Sequence, residues 1–129
     1  MKNKLSRFIL GTSHFGGYVN FKNTEKIILR SYKHGIRKLD TSPMYGENKA
    51  ENFIGIIKKK HNLRLKIFSK VGLVGFKKNN IFQAKKIPLS SKNITNTVEK
   101  SLHNLKIDCL DLLQLHYFDS KTPIEETIS

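Results

Sequence analysis

Four short apolar runs alternate along this chain with three stretches whose apolar residues recur at helical spacing. That alternation is what most restricts the fold. The runs are residues 8–10, 36–40, 65–70 and 110–115. Between them, Ile27, Ile28 and Tyr32 make one stripe, and Ala50, Phe53, Ile54 and Ile57 a second at i, i+3, i+4 and i+7. Ile94, Val98, Leu102 and Leu105 make the third. Apolar residues spaced this way line one face of a helix, whereas short apolar runs bounded by turn residues suit covered strands. The last run is rich in leucine, a good helix former. Its place directly after an amphipathic helix favours a strand. Strand and helix alternating in this way are repeated βαβ units, whose crossovers make the sheet parallel. The nearly continuous apolar strands fit a sheet covered by helices.

The connections carry their own signals. Asn23 and Thr24 are candidate caps for the first helix, and His34-Gly35 closes it. Lys58, Lys59 and Lys60 set positive charge at the second helix's C-terminal end. Residues 71–89 are interrupted by Gly72, Gly75, Asn79, Asn80 and Pro88, and read as a long loop with at most a local turn of helix. Thr122-Pro123-Ile124-Glu125 has the form of a capping box, with Glu126 as a second acid in the first turn. The expectation is one domain over residues 1–129, truncated as its fourth helix begins.

At 129 residues the chain fits a single domain with an ordinary core. No apolar run approaches the roughly 18 residues that span a bilayer, and the apolar stretch near the N-terminus is too short for a signal peptide. Cys109 is the only cysteine, so no internal disulfide can form, and no metal-ligand spacing is visible. A cytoplasmic setting with no membrane partner is expected. The net charge of +14 would draw polyanions non-specifically. The lysines are spread along the chain, however, and no aromatic ribonucleoprotein motif, zinc-finger spacing or helix-turn-helix pattern accompanies them. No specific nucleic-acid partner is expected.

Polar residues that can do chemistry fall at strand ends. Asp40 ends the second strand, Lys70 the third and His116 the fourth, and Tyr45 stands in the Pro/Gly-punctuated loop after Asp40. In parallel βα sheets the strand C-termini share one face, where reactive groups collect. Taken singly, Asp40 could be a turn cap, Lys70 a solvated strand end and His116 a packed core residue. As a set of four they favour a site. A phenol is a weak acid, with an ordinary pKa of about 10. A neighbouring ammonium favours the phenolate, and Asp40 would hold that ammonium charged and oriented. Such a phenol can give a proton to a developing alkoxide, with His116 orienting the same oxygen. The chemistry suggested is carbonyl reduction with a cofactor supplying hydride.

These residues also carry a family resemblance. LDTSPMYGENKAENFIG resembles the Asp-Thr-x-x-x-Tyr-Gly signature of aldo-keto reductases, followed by a Glu and a helix ending in Gly. Gly11-Thr12 with Gly16-Gly17 resembles the family's first strand and loop, IFSKVG the segment with its lysine, and SLHNLKIDCLDLLQLH the approach to its histidine. The resemblance covers essentially the whole chain and corresponds to the N-terminal half of the family's barrel. It implies an α/β fold, a TIM (β/α)8 barrel of which about four βα units are present. It further implies reduction of a small-molecule aldehyde or ketone with NADP(H) or NAD(H). Tyr45 would be the proton donor, Lys70 and Asp40 its partners, and His116 would orient the carbonyl. Gly11, Thr12 and Asp40 would lie against the nicotinamide ribose. Most contacts to the dinucleotide would belong to the other half, so a complementary C-terminal half or self-association is expected at the open edges of the first and fourth strands. The alternative is a non-catalytic regulatory or binding relative, or a truncated remnant, of the same fold.

Overall fold

The computed structural model describes residues 4–128. A 3-10 turn (Lys4–Arg7) leads into β1 (Ile9–Gly11), α1 (Phe21–Lys33), β2 (Lys38–Asp40), the short turn α2 (Tyr45–Asn48) and α3 (Ala50–Lys60). Then come β3 (Lys66–Val71), β4 (Leu73–Lys78), β5 (Ile81–Lys86), α4 (Ser91–Leu105), β6 (Leu112–Leu115) and α5 (Ile124–Ile128). β1, β2, β3 and β6 form one sheet in that order, every pair parallel, so the expected four βα units are present. Gly11 lies level with Asp40, Asp40 with Phe68, and Lys70 with Gln114.

Burial alternates along β3. Ile67, Ser69 and Val71 are buried, while Phe68 and Lys70 are half-buried. Successive side chains on a strand point to opposite faces. One face of the sheet therefore packs under the helices, and the other carries Asp40 and Lys70. The packed face meets Ile28 of α1, Ile54 and Ile57 of α3 and Leu105 of α4, with Leu39 and Ile67 from the sheet, each 1% exposed or less. Burying one such side chain stabilises the fold by about 1.5–3 kcal/mol. Gly55 lets α3 and α4 cross closely, since a Cβ there would run into the backbone oxygen of Asn104. The helix runs past this glycine to Lys60, so the lysines expected at its C-terminal end stand there, and the glycine of the family signature does not end it.

Two expectations about helix caps are corrected. The N-cap of α1 is Asn20, whose side chain accepts from the Asn23 amide at 3.0 Å. Asn20, Asn23 and Thr24 are all capping types, and Thr24 is instead buried inside the first turn. The Thr122 hydroxyl donates to Asp119 at 2.6 Å, while the Pro123 carbonyl accepts from Glu126 and Thr127. Asp119 also accepts from the amides of Leu89 and Lys121, and these bonds hold its carboxyl below the usual range.

The largest correction concerns residues 71–89. They form not a loop but an antiparallel hairpin, β4 on β5, from Leu73↔Lys86 to Lys78↔Ile81. Asn79 and Asn80 both take positive φ, 50° and 61°. Two left-handed central residues are the mark of a two-residue type I′ hairpin turn, and asparagine tolerates that region better than most residues. Gly72, at φ 103°, lets the chain leave β3 and start the hairpin.

Candidate active site

Asp40 closes β2, and its backbone oxygen is pinned by two donors from one residue. The Thr12 amide and Thr12 Oγ1 bond it at 3.1 and 2.9 Å. The first loop is thereby tied to the end of the second strand. Lys70, opposite on β3, donates to Asp40 Oδ2 at 2.7 Å and to the Thr41 backbone oxygen at 3.0 Å. Its side chain is 12% exposed and that of Asp40 29%. The Lys70 ammonium also lies over the Tyr45 ring, 4.8 Å from its centroid. At such a distance the ring face attracts the cation.

His116 follows the last residue of β6 and extends its pairing, its amide bonding the Val71 oxygen at 2.9 Å. Its ring meets the Tyr45 ring edge-on at 5.8 Å, and Nδ1 shares a hydrogen bond with Ser42 Oγ at 3.2 Å. Burial pushes the imidazole below its ordinary value, the Lys70 charge adds to this, and Asp40 opposes it. The neutral ring is favoured. The structure thus brings together Asp40, Tyr45, Lys70 and His116, all four candidates, on one rim of the sheet.

Tyr45 is held by an unusual turn. Its amide bonds the Ser42 oxygen at 3.1 Å, and Gly46, Glu47 and Asn48 then follow with φ of 56°, 57° and 66°. Such a conformation costs a non-glycine residue about 1–3 kcal/mol and persists only where neighbours enforce it. Here they do. The Gly46 amide bonds the Ser13 oxygen at 3.3 Å, and a Cβ at Gly46 would collide with the Phe15 oxygen. Asn48 Nδ2 donates to the Gly75 oxygen at 2.9 Å, and Glu47 pairs with Lys77 at 3.1 Å, both on β4. Neither Ser42 nor the β4 contacts could be read from the local sequence. Asn79-Asn80 between two six-residue runs was the signal that could have found the hairpin.

A cleft of about 540 Å³ opens beside Tyr45, between the first loop (His14, Tyr18), the Tyr45 turn (Met44) and Phe82 of β5. A second cleft of about 390 Å³ lies between the hairpin and α4, with Glu51 in its wall. Glu51 is 2% exposed and accepts from Ser69 Oγ at 2.7 Å. Burial raises its carboxyl above the usual value, against the pull of Ser69, Ser101 and Asn104.

The cofactor residues suggested by sequence, Gly11, Thr12 and Asp40, lie side by side. No atom stands within 4 Å of where a Gly11 side chain would begin, and the partly exposed Asp40 carboxylate lies level with it across the register. An open backbone position beside a hydrogen-bond acceptor fits a ribose edge. Thr12, its amide and hydroxyl both given to Asp40, serves to fix that carboxylate's strand end. Among the described residues no cluster of His, Cys, Asp and Glu is placed to hold a metal, and no helix is long and apolar enough to cross a membrane.

Comparison with known proteins agrees with this geometry. A sequence model of the Aldo/keto reductase family matches residues 7–129. Aldo-keto reductase YhdN of Bacillus subtilis (strain 168) is 33% identical over 128 residues, which cover 95% of this chain and 37% of that protein. Versiconal hemiacetal acetate reductase of Aspergillus parasiticus is 31% identical, over 95% of this chain and 42% of its own. Among solved structures, a glycerol dehydrogenase from Gluconobacter oxydans superposes with a TM-score of 0.81 at 28% identity. The holo form of an aldo-keto reductase from Bacillus halodurans gives 0.77, also at 28%. Each structure is covered over 38% of its length by 92% of this chain. The chain spans less than half the length of these relatives, and what it spans is about four βα units of their barrel. By family model, relatives and fold alike, the chain belongs to the aldo-keto reductase family.

Proposed function

We propose that this chain carries the proton-donating side of a carbonyl reductase site, acting on an aldehyde or ketone. The observation that carries this reading is the convergence of Lys70 on both Asp40 and the Tyr45 ring, with His116 beside them. Tyr45 gives its proton to the carbonyl oxygen as that oxygen becomes an alkoxide. Lys70, positioned by its bond to Asp40, sets its ammonium against the negative charge left on the phenolic oxygen. His116, neutral and fixed through Nδ1 by Ser42, turns its other nitrogen to the carbonyl and orients it. Asp40 and the open backbone at Gly11 would hold the ribose edge of NADPH or NADH, which would supply the hydride for the carbonyl carbon. The names of two relatives, a versiconal hemiacetal acetate reductase and a glycerol dehydrogenase, describe the two directions of this chemistry.

The remaining dinucleotide contacts and the far wall of the site come from a complementary C-terminal half, or from a second copy, pairing along β1 and β6. The test is to join the chain to the C-terminal remainder of the Bacillus subtilis relative and follow carbonyl-dependent oxidation of NADPH and NADH. Turnover that stops on His116→Leu supports the reading. A folded, cofactor-binding hybrid that reduces no aldehyde or ketone overturns it.

A further inference from the structure

Resting on that reading, we infer that the β4–β5 hairpin selects the substrate, with Phe82 as its specificity-determining residue and Asn48 as the positioning residue that locks the hairpin to the Tyr45 turn. The class selected is a carbonyl bearing a flat aromatic or similarly planar apolar substituent.

None of the four site candidates lies on the hairpin, yet it reaches the cleft beside Tyr45 through Phe82. The ring of Phe82 rests against the paired strand. It lies across the backbone of Gly75 on the paired strand, where a Cβ would run into the Phe82 ring and the Asn48 side-chain oxygen. Asn48 Nδ2 in turn donates to the Gly75 oxygen at 2.9 Å. Gly75, lacking a side chain, thus leaves one space in which the Phe82 ring and the Asn48 side chain both sit, which ties Phe82 to the Tyr45 turn. Glu47–Lys77, at 3.1 Å, adds an exposed second tie between the same two segments.

The cleft's other walls match Phe82 in chemistry. His14 and Tyr18 stand edge to face at 5.4 Å, and Met44 adds a polarizable thioether. Rings and a thioether around one opening favour a flat apolar group, which they contact by stacking and by sulfur–ring approach. A volume of about 540 Å³ is that of a small-molecule site. Glu47 is the carboxylate on its wall, and it is paired with Lys77.

The experiment compares acetophenone with butanone. Binding to the 129-residue chain is read by NMR saturation transfer, and turnover is read in the hybrid barrel. Wild type should prefer acetophenone. Phe82→Ala should weaken acetophenone binding about tenfold and raise its KM, with butanone unchanged, while Phe82→Leu should recover part of the preference. Asn48→Ala should blunt the preference and also lower kcat, because it frees both the hairpin and the Tyr45 turn. Ile81→Ala, changing an exposed neighbour on the same strand, should have no effect. An acetophenone-to-butanone ratio that Phe82→Ala leaves at its wild-type value, in binding or in KM, overturns the inference. Phe82-dependent binding without reduction of either ketone by the hybrid would instead overturn the reductase reading.

Discussion

The Lys70 ammonium spans two neighbouring strands to reach the Asp40 carboxylate at 2.7 Å and in the same position lies 4.8 Å from the centre of the Tyr45 ring. The pair is partly buried, so each charge depends on the other more than a surface pair would. Lys70→Met should therefore act twice. It leaves Asp40 without its counter-charge, at a cost of about 1–3 kcal/mol, and it removes the charge facing Tyr45. Urea unfolding should register the first effect. A fall of about 10²-fold or more in carbonyl turnover by the hybrid should register the second.

His116 gives a pH test whose sign is fixed by its surroundings. Burial and Lys70 depress its folded value below the ordinary 6.5 or so, so the native state binds fewer protons than the unfolded one. Its contribution to stability is complete above the unfolded value and is lost as pH falls through the folded one. Thermal unfolding followed downward from about pH 7 should show this loss, and His116→Gln should flatten it. An NMR titration should place the His116 midpoint below that of a free histidine.

Glu51 has the opposite sign. Burial raises its folded value above the ordinary one, so its contribution is complete below the unfolded value and is lost as pH rises through the folded value. Glu51→Gln keeps an acceptor for Ser69 and removes the charge. The melting temperature of Glu51→Gln minus that of wild type should be more positive at about pH 7 than at about pH 4.

How much of this was legible in the sequence varies with the residue. Asp40, Lys70 and His116 could be placed on one rim because the strand C-termini of a parallel sheet share a face, whatever the loops do. Ser42 against His116 could not, since the two are 74 residues apart and neither's local sequence speaks of the other. The hairpin was hidden by its own composition. Lys77, Lys78, Lys85 and Lys86 sit on exposed strands, and glycine and asparagine interrupt them, so the stretch reads as loop. The left-handed run after Tyr45 was equally unreadable, because Gly46, Glu47 and Asn48 are held in it by contacts from Ser13, Lys77 and Gly75 respectively.

The sheet's outer strands make a prediction about association. Ile9 of β1 is 49% exposed, and Leu112, Leu113 and Leu115 of β6 are 40–44% exposed. Unpaired backbone beside apolar side chains invites another strand. Sedimentation of the 129-residue chain at low micromolar concentration should show association, or else a hydrophobic dye should bind strongly. A compact monomer with little dye binding, unfolding cooperatively, contradicts the open-edge account.

Whether Tyr45 supplies the proton can be decided by a single-turnover measurement. The hybrid barrel, preloaded with reduced nicotinamide cofactor, is mixed with an aldehyde, and cofactor oxidation is followed in wild type and in Tyr45→Phe. Tyr45→Phe should bind the cofactor as tightly as wild type, because a proton-donating phenol would touch the reacting oxygen rather than the dinucleotide. Oxidation should then slow by about 10²-fold or more, the usual scale of a lost general acid. Oxidation by Tyr45→Phe at the wild-type rate would contradict that role and would assign the proton to another group.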